Sequence, residues 1–187
     1  MDVQWEGPFA WPRYETQERI PAIPKISGVY LQTVKYQNGY LIYCAGITRR
    51  SIPTRFREHT RKYISGEYTV LDIEELQLGR RVEIWHGWGW TPEKISSFER
   101  RKEEIVGAAQ RQMAGFRVFV ADVGTAPRVL ERLEAAIMNR LYNQPSPMSD
   151  IPDRGMHLSP KLEEEPTISV RIACPEILHG LPQSLAI

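Results

Sequence analysis

Cysteine is scarce in this chain, with two among 187 residues, Cys44 and Cys174. They stand far apart, in no metal-ligand spacing, and read as free thiols in a reducing cytoplasm. Long apolar runs are missing, and none approaches the length that spans a bilayer, so no membrane partner is expected. The opening Met1-Asp2-Val3-Gln4-Trp5-Glu6 has neither a basic start nor an apolar stretch, and a signal peptide is not expected there. No internal repeat is visible. An excess of one charge is lacking too, since 24 Lys and Arg face 23 Asp and Glu for a formal net charge of +1. Nucleic-acid-binding domains are usually basic, so the sum argues against one. The distribution argues the other way. From Arg49 to Lys62 there are six basic residues (Arg49, Arg50, Arg55, Arg57, Arg61 and Lys62) and one acid, Glu58. Such a stripe attracts phosphates, although charge alone fits a solvated helix face as well.

What is present is a regular alternation of strand and helix signals. Residues 1–25, rich in Trp, Pro and Arg without a period, read as an arm over the surface. Gly28 to Val34 reads as a strand, Asn38-Gly39 as a hairpin turn, and Tyr40 to Ala45 as the return strand. A helix follows from the N-cap Ser51, with Pro53 in its first turn, to about Gly66. Residues 80–86 read as a further strand, and one long charged helix runs from Thr91 to about Gly115. Phe116 to Ala121 is a strand, and the last main helix runs from Thr125 to about Tyr142. A possible short strand, Ile168 to Ile172, precedes a weakly structured end. The fold class is therefore α+β, with a small, mainly antiparallel three-stranded sheet flanked by helices and an inserted helical and strand segment. The divisions are an arm at 1–25, a domain at 26–147 with an insertion at 67–115, and an extension at 148–187.

Strand alternation puts Tyr30, Gln32 and Val34 on one face. A turn centred on Asn38-Gly39 sets Val34 opposite Tyr43 and Gln32 opposite Ala45. Tyr43 then shares the face of Tyr30, and Cys44 takes the other unless a bulge reverses the register. On the following helix, Ile52, Phe56, His59 and Tyr63 form one stripe, with Arg55 beside His59. An arginine at the edge of the core can grip a phosphate bidentately. On the last helix Glu134 falls in the sector of Leu130, Leu133, Ile137 and Leu141. A carboxylate placed there needs a base or a cation, and Mg²⁺ suits a lone carboxylate because it keeps several waters. Each feature alone also fits ordinary packing: tyrosines suit strands, a histidine can be a satisfied core residue, and Glu134 can join a structural ion pair.

Together these residues resemble the GIY-YIG nuclease family. The first motif stands as Gly28-Val29-Tyr30 and the second as Tyr43-Cys44-Ala45-Gly46, followed by Ile47-Thr48. Arg55-Phe56-Arg57-Glu58-His59 is similar to the family's arginine with a histidine one turn later. Leu133-Glu134-Ala135-Ala136-Ile137-Met138 looks like its metal-binding glutamate segment, and Asn143, just past the helix end, is either a C-terminal cap or similar to its terminal asparagine. Order and spacing match over about residues 26 to 66 and 116 to 144. One extra residue separates Tyr43 from Gly46, so the second motif fits either a bulge or Cys44 in the tyrosine's place.

The resemblance implies a divalent-metal-dependent DNA endonuclease that hydrolyses phosphodiester bonds with Mg²⁺ or Mn²⁺. Tyr30 is then the base, Tyr43 positions water or phosphate, Arg55 holds the scissile phosphate, His59 orients Tyr30 or helps its proton transfer, and Glu134 ligates the metal. Arg49, Arg50, Arg57, Arg61, Lys62 and Asn143 would contact DNA. In the insertion, Trp85, Trp88 and Trp90 either stack on unpaired bases or pack the segment onto the domain. Two other functions fit the same residues: a nucleic-acid-binding module that kept the fold without catalysis, and a protein-interaction domain. Oligomeric state is left open.

Overall fold

The computed structural model describes residues 1–87 and 89–187, without the side chains of residues 17 and 18. The chain begins with β1 (Asp2–Gln4), β2 (Glu6–Ala10) and the short α1 (Glu15–Glu18). The hairpin β3 (Gly28–Tyr36) and β4 (Gly39–Thr48) leads into α2 (Ile52–Ile64). Next come β5 (Val70–Leu71), α3 (Ile73–Gln77), β6 (Glu83–Trp85), α4 (Pro92–Arg100) and α5 (Lys102–Gly115). Then follow β7 (Phe116–Ala121), α6 (Pro127–Tyr142), β8 (Ser169–Ala173), β9 (Leu178–His179) and β10 (Ser184–Ala186).

The α+β class stands, but the main sheet has five strands, ordered β2-β7-β3-β4-β9. The three expected strands are its antiparallel middle, with β7 and β4 on either side of β3. The N-terminal β2 adds one edge and β9, parallel to β4, adds the other. Neither announces itself in sequence. β2 carries Gly7-Pro8 and a register irregularity between Glu6 and Phe9, which erases its alternation. β9 is two residues long. The expected arm is thus part of the sheet, and Trp5 and Trp11 are fully buried. The end of the chain, expected to be weakly structured, supplies β8, which pairs with β1 and β10 in a second sheet.

The sheet divides two apolar layers. On one side Tyr30, Val34, Leu41 and Tyr43 pack with Phe56 and Tyr63 of α2 and with Ile105 and Met113 of α5. On the other, Val29, Leu31, Ile42 and Ala45 meet Leu133, Ile137 and Leu141 of α6. The α2 stripe is as anticipated, with Ile52, Phe56, His59 and Tyr63 all buried. The insertion packs on the same core. Trp85 is buried, donates from Nε1 to the Gly66 carbonyl at 2.7 Å and lies 5.6 Å from Phe98 between ring centres. Trp90 is 45 % exposed; Trp88 lies outside the described residues. The long helix of the insertion is two helices broken at Arg101, whose backbone leaves the helical region at φ −109°, ψ 14°. No Gly or Pro marks that break. Arg101 instead donates to the Ile84 carbonyl and pairs with Glu104 in the first turn of α5.

Candidate active site

The hairpin decides which side chains meet. Its turn is Gln37-Asn38, with Tyr36 paired to Gly39, so the turn lies one residue earlier than expected. Gln37 takes the left-handed conformation at φ 49°. Gly39 is required for another reason: a Cβ there would strike the Ile177 carbonyl oxygen beside β9. From Thr33–Ile42 to Gln32–Cys44 the register shifts, which makes Tyr43 a bulged residue. A displaced turn alone would have kept the expected faces. The bulge moves Cys44 onto the face of Tyr30 while leaving Tyr43 there too, so the expectation that Cys44 takes the opposite face is corrected. The Tyr43 carbonyl accepts from the Asp153 N–H at 2.8 Å, which ties the C-terminal segment over the site.

Beyond the bulge Tyr30 faces Gly46. A methyl group at Gly46 would collide with Cζ and the hydroxyl of Tyr30. The two motif residues are therefore coupled by space: the tyrosine ring lies across the bare backbone of the glycine.

One cavity of about 460 Å³ is lined by Tyr30, Tyr43, Cys44, Arg55, His59 and Glu134, among others. The five residues assigned to chemistry from sequence thus border a single space. The Tyr30 hydroxyl lies 2.7 Å from His59 Nε2, and His59 Nδ1 lies 3.3 Å from the Tyr68 hydroxyl. Burial, and then the Arg55 guanidinium, push the His59 pKa down to about 3, so its ring is neutral at ordinary pH. Burial likewise holds the Tyr30 phenol protonated far above its usual range, opposed by Arg55 beside it. The Arg55 guanidinium acts on the phenol through its charge, and the protonated Tyr30 hydroxyl donates to Nε2 of the neutral His59 ring. This arrangement leaves Nδ1–H of His59 to donate to Tyr68.

Arg55 also pairs with Glu58 at 3.1 Å, and its buried Nε has no partner. Gln32 Oε1, in the same cavity, is a second buried atom without one. Two residues that line the cavity thus each carry a buried polar atom without a partner. Glu134 is half-buried at the edge of the α6 apolar stripe. Burial raises its pKa to about 7, against the opposing pull of Arg55 and the backbone N–H of Ile47. Among the described residues no group of three or more His, Cys, Asp or Glu gathers into a metal cage. Glu134 is thus a single carboxylate facing the cavity. Its neighbour Glu131 points away and pairs with Arg128.

Tyr43 is buried, stacks on Phe116 with 5.5 Å between ring centres, and has its phenol pushed up by burial and then by the Asp153 carboxylate. Cys44 lines the same cavity, its Sγ 3.6 Å from Met156 Sδ. Asn143 is not brought to the site: it caps α6, is exposed, and donates to the Asn139 carbonyl at 2.7 Å. The basic stripe does not form one surface. Arg49 and Arg50 line a second cavity with Arg55. Arg57 is exposed and bonds Thr54. Lys62 pairs with Glu67 and lies over the Tyr68 ring. Arg61 lines a groove with Arg13, Trp90 and Phe98, apart from the cavity of Tyr30. Sequence reasoning missed Tyr68, Glu58 as the partner of two arginines, and Asp153. Tyr68 and Asp153 lie in aperiodic segments, and nothing in the local pattern singles them out. No family model, curated protein or solved structure matches this chain.

Proposed function

We propose that the protein is a divalent-metal-dependent DNA endonuclease of the GIY-YIG type. The observation that carries this reading is the 2.7 Å hydrogen bond between the Tyr30 hydroxyl and His59, with Glu134 and Arg55 lining the same cavity. Such a pairing answers the weakness of phenol as a base. As water attacks phosphorus and a P–O bond breaks, the water proton passes to the Tyr30 oxygen while Tyr30 gives its own to His59 Nε2. Neutral His59 can accept it, and the phosphate charge drawn to Arg55 offsets the new cation. The Nε of Arg55 has no protein partner, as expected of a donor reserved for a phosphate oxygen. Tyr43 and Cys44 border the space on the sheet side, where Tyr43 would position the attacking water or the phosphate.

Glu134 fits a hydrated Mg²⁺ or Mn²⁺, since such ions bind through one or two carboxylates and keep several waters. When bound there, the ion would polarise the phosphate and stabilise the leaving oxygen. Arg49 and Arg50 would bind the DNA backbone beside the cut, and Arg57, Arg61 and Lys62 would add contacts farther out. The test is a metal titration of cleavage on supercoiled, nicked and branched DNA. Cleavage that needs Mg²⁺ or Mn²⁺ supports the reading.

A non-catalytic nucleic-acid-binding module is the second reading. It is favoured by Cys44 rather than Tyr43 standing opposite Gln32 in the ladder. A gel shift without cleavage at any metal concentration would select it.

A further inference from the structure

Beside the cavity of Tyr30 lies a second one, of about 650 Å³, lined by Ile47, Thr48, Arg49, Arg50, Arg55, Thr125 and Pro127. Ile47 and Arg55 line both, so the two abut. The second cavity has three arginines and no acid in its wall. Arg49 forms no ion pair among the described residues. Arg50 and Arg55 share Glu58, at 2.8 and 3.1 Å, on the outer side of the wall. Glu58 is half-buried, and these two arginines hold its carboxyl below the usual range, so it stays ionised and joins the two guanidiniums.

The opposite wall is the start of α6. Its N-cap is Ala126, which has no side chain to bond the first N–H groups, and its first turn holds no acid. Thr125 and Pro127, on either side of that cap, line the cavity. The wall is therefore cationic on one side, and on the other it is the acid-free start of α6, where the helix dipole favours an anion. Three arginines around an open, polar space with no acid in its wall select an oxyanion, and a phosphodiester carries one.

We propose that this cavity binds the phosphodiester next to the one being cut on the same strand, with Arg49 and Arg50 as its grip and Glu58 as the strut that sets Arg50 against Arg55. The inference rests on the nuclease reading and names its substrate as a strand with two successive phosphates at the site. Arg55 belongs to both cavities and thereby sets the register between the cut and the grip. A substrate offering only the scissile phosphate would leave Arg49 and Arg50 with nothing to hold.

The experiment uses the full chain and a duplex oligonucleotide whose cleavage position has been mapped. Single phosphates flanking the cut are replaced, one at a time, by neutral methylphosphonates, and wild type is compared with Arg49→Ala. In wild type, one immediately adjacent replacement lowers kcat/KM roughly tenfold or more, the usual worth of a charge-assisted hydrogen bond. In Arg49→Ala the all-phosphate duplex is slowed by a similar factor, and that replacement slows it no further. Glu58→Gln, which keeps the size of the strut but loses its charge, weakens the same coupling in part. An unchanged penalty in Arg49→Ala, or sensitivity confined to the scissile phosphate, overturns the proposal and leaves the nuclease reading intact. Absence of metal-dependent cleavage of the unmodified duplex by wild type overturns the nuclease reading, and this inference falls with it.

Discussion

The Tyr30 hydroxyl lies 2.7 Å from the neutral His59 ring, with the Arg55 guanidinium lining the same cavity, and the chemistry proposed for it follows from that position. Tyr30→Phe keeps the ring over Gly46 but removes that hydrogen bond. Cleavage should fall by on the order of a hundredfold or more, as loss of a proton-transfer group does, while thermal unfolding shows a folded protein. Gly46→Ala should act through the same ring. A methyl group driven against Tyr30 should destabilise the fold by on the order of 1–3 kcal/mol, the usual cost of overpacking, measurable by denaturant titration. His59 gives a prediction in pH. Its pKa is lowered in the fold to about 3 from 6.5, by burial first and then by Arg55; Lys62 acts with Arg55 and Glu58 against them. A group depressed in this way stabilises the fold fully above its unfolded pKa, and that contribution is lost as pH falls from about 6.5 towards 3. Between pH 7 and pH 5 the wild type should lose on the order of 2 kcal/mol of unfolding free energy from this group. His59→Gln, which has nothing to titrate, should lack that part of the slope. Equal slopes in the two proteins would contradict a neutral, buried His59.

At the scale of elements, the bulge in β4 and the edge strand β2 shape the site more than the regular hairpin does. The helical stripes were legible because their period is strict: Ile52, Phe56, His59 and Tyr63 on α2, and Leu130, Leu133, Ile137 and Leu141 on α6, are buried as the spacing requires. The three middle strands were legible from alternation and flanking turns. The bulge was legible only as one of two alternatives, because two residues on one face look like a phase slip of a regular strand, and only the Asp153 N–H that takes the Tyr43 carbonyl gives it a reason. β2 and β9 were missed because their pairing is set by partners distant in sequence. The break at Arg101 was missed because a tertiary contact, with the Ile84 carbonyl, ends the helix without a local stop signal. Asn143 stayed ambiguous for the opposite reason: a residue just past a helix end looks the same whether it caps the helix or faces a site. The importance of β2 can be measured. Trp11, fully buried next to it, packs edge-on to Phe56 and Tyr63 and donates to Thr60 Oγ1 at 2.8 Å. Trp11→Ala should cost about 3–5 kcal/mol in denaturant unfolding, as large aromatic truncations in cores do. A loss below about 1 kcal/mol would mean that the N-terminal segment is a loose arm after all.

At the scale of the whole molecule, a net charge of +1 is compatible with DNA binding because three arginines, Arg49, Arg50 and Arg55, are gathered around two adjoining cavities. Arg61 opens onto a different groove, so Arg61→Ala should lower DNA affinity and reduce the salt slope by about one unit. It should leave single-turnover cleavage of bound DNA nearly unchanged. Arg55→Ala should instead slow that step by on the order of a hundredfold or more, as removal of a transition-state donor does. Comparable losses of bound-state cleavage in both variants would show that grip and chemistry are not separated in this way. The central claim is that the space between Tyr30 and Glu134 hydrolyses DNA with a divalent ion. Its most direct test is single-turnover nicking of supercoiled plasmid in Mg²⁺, at saturating protein and low salt, by wild type and by Glu134→Gln. The amide keeps the size of the side chain and removes the charge that would hold the ion. The account predicts metal-dependent nicking by wild type and a loss of on the order of a hundredfold or more in Glu134→Gln, with folding and DNA binding retained. Undiminished nicking by Glu134→Gln, or none by wild type in Mg²⁺ or Mn²⁺ under conditions where it binds DNA, would contradict it.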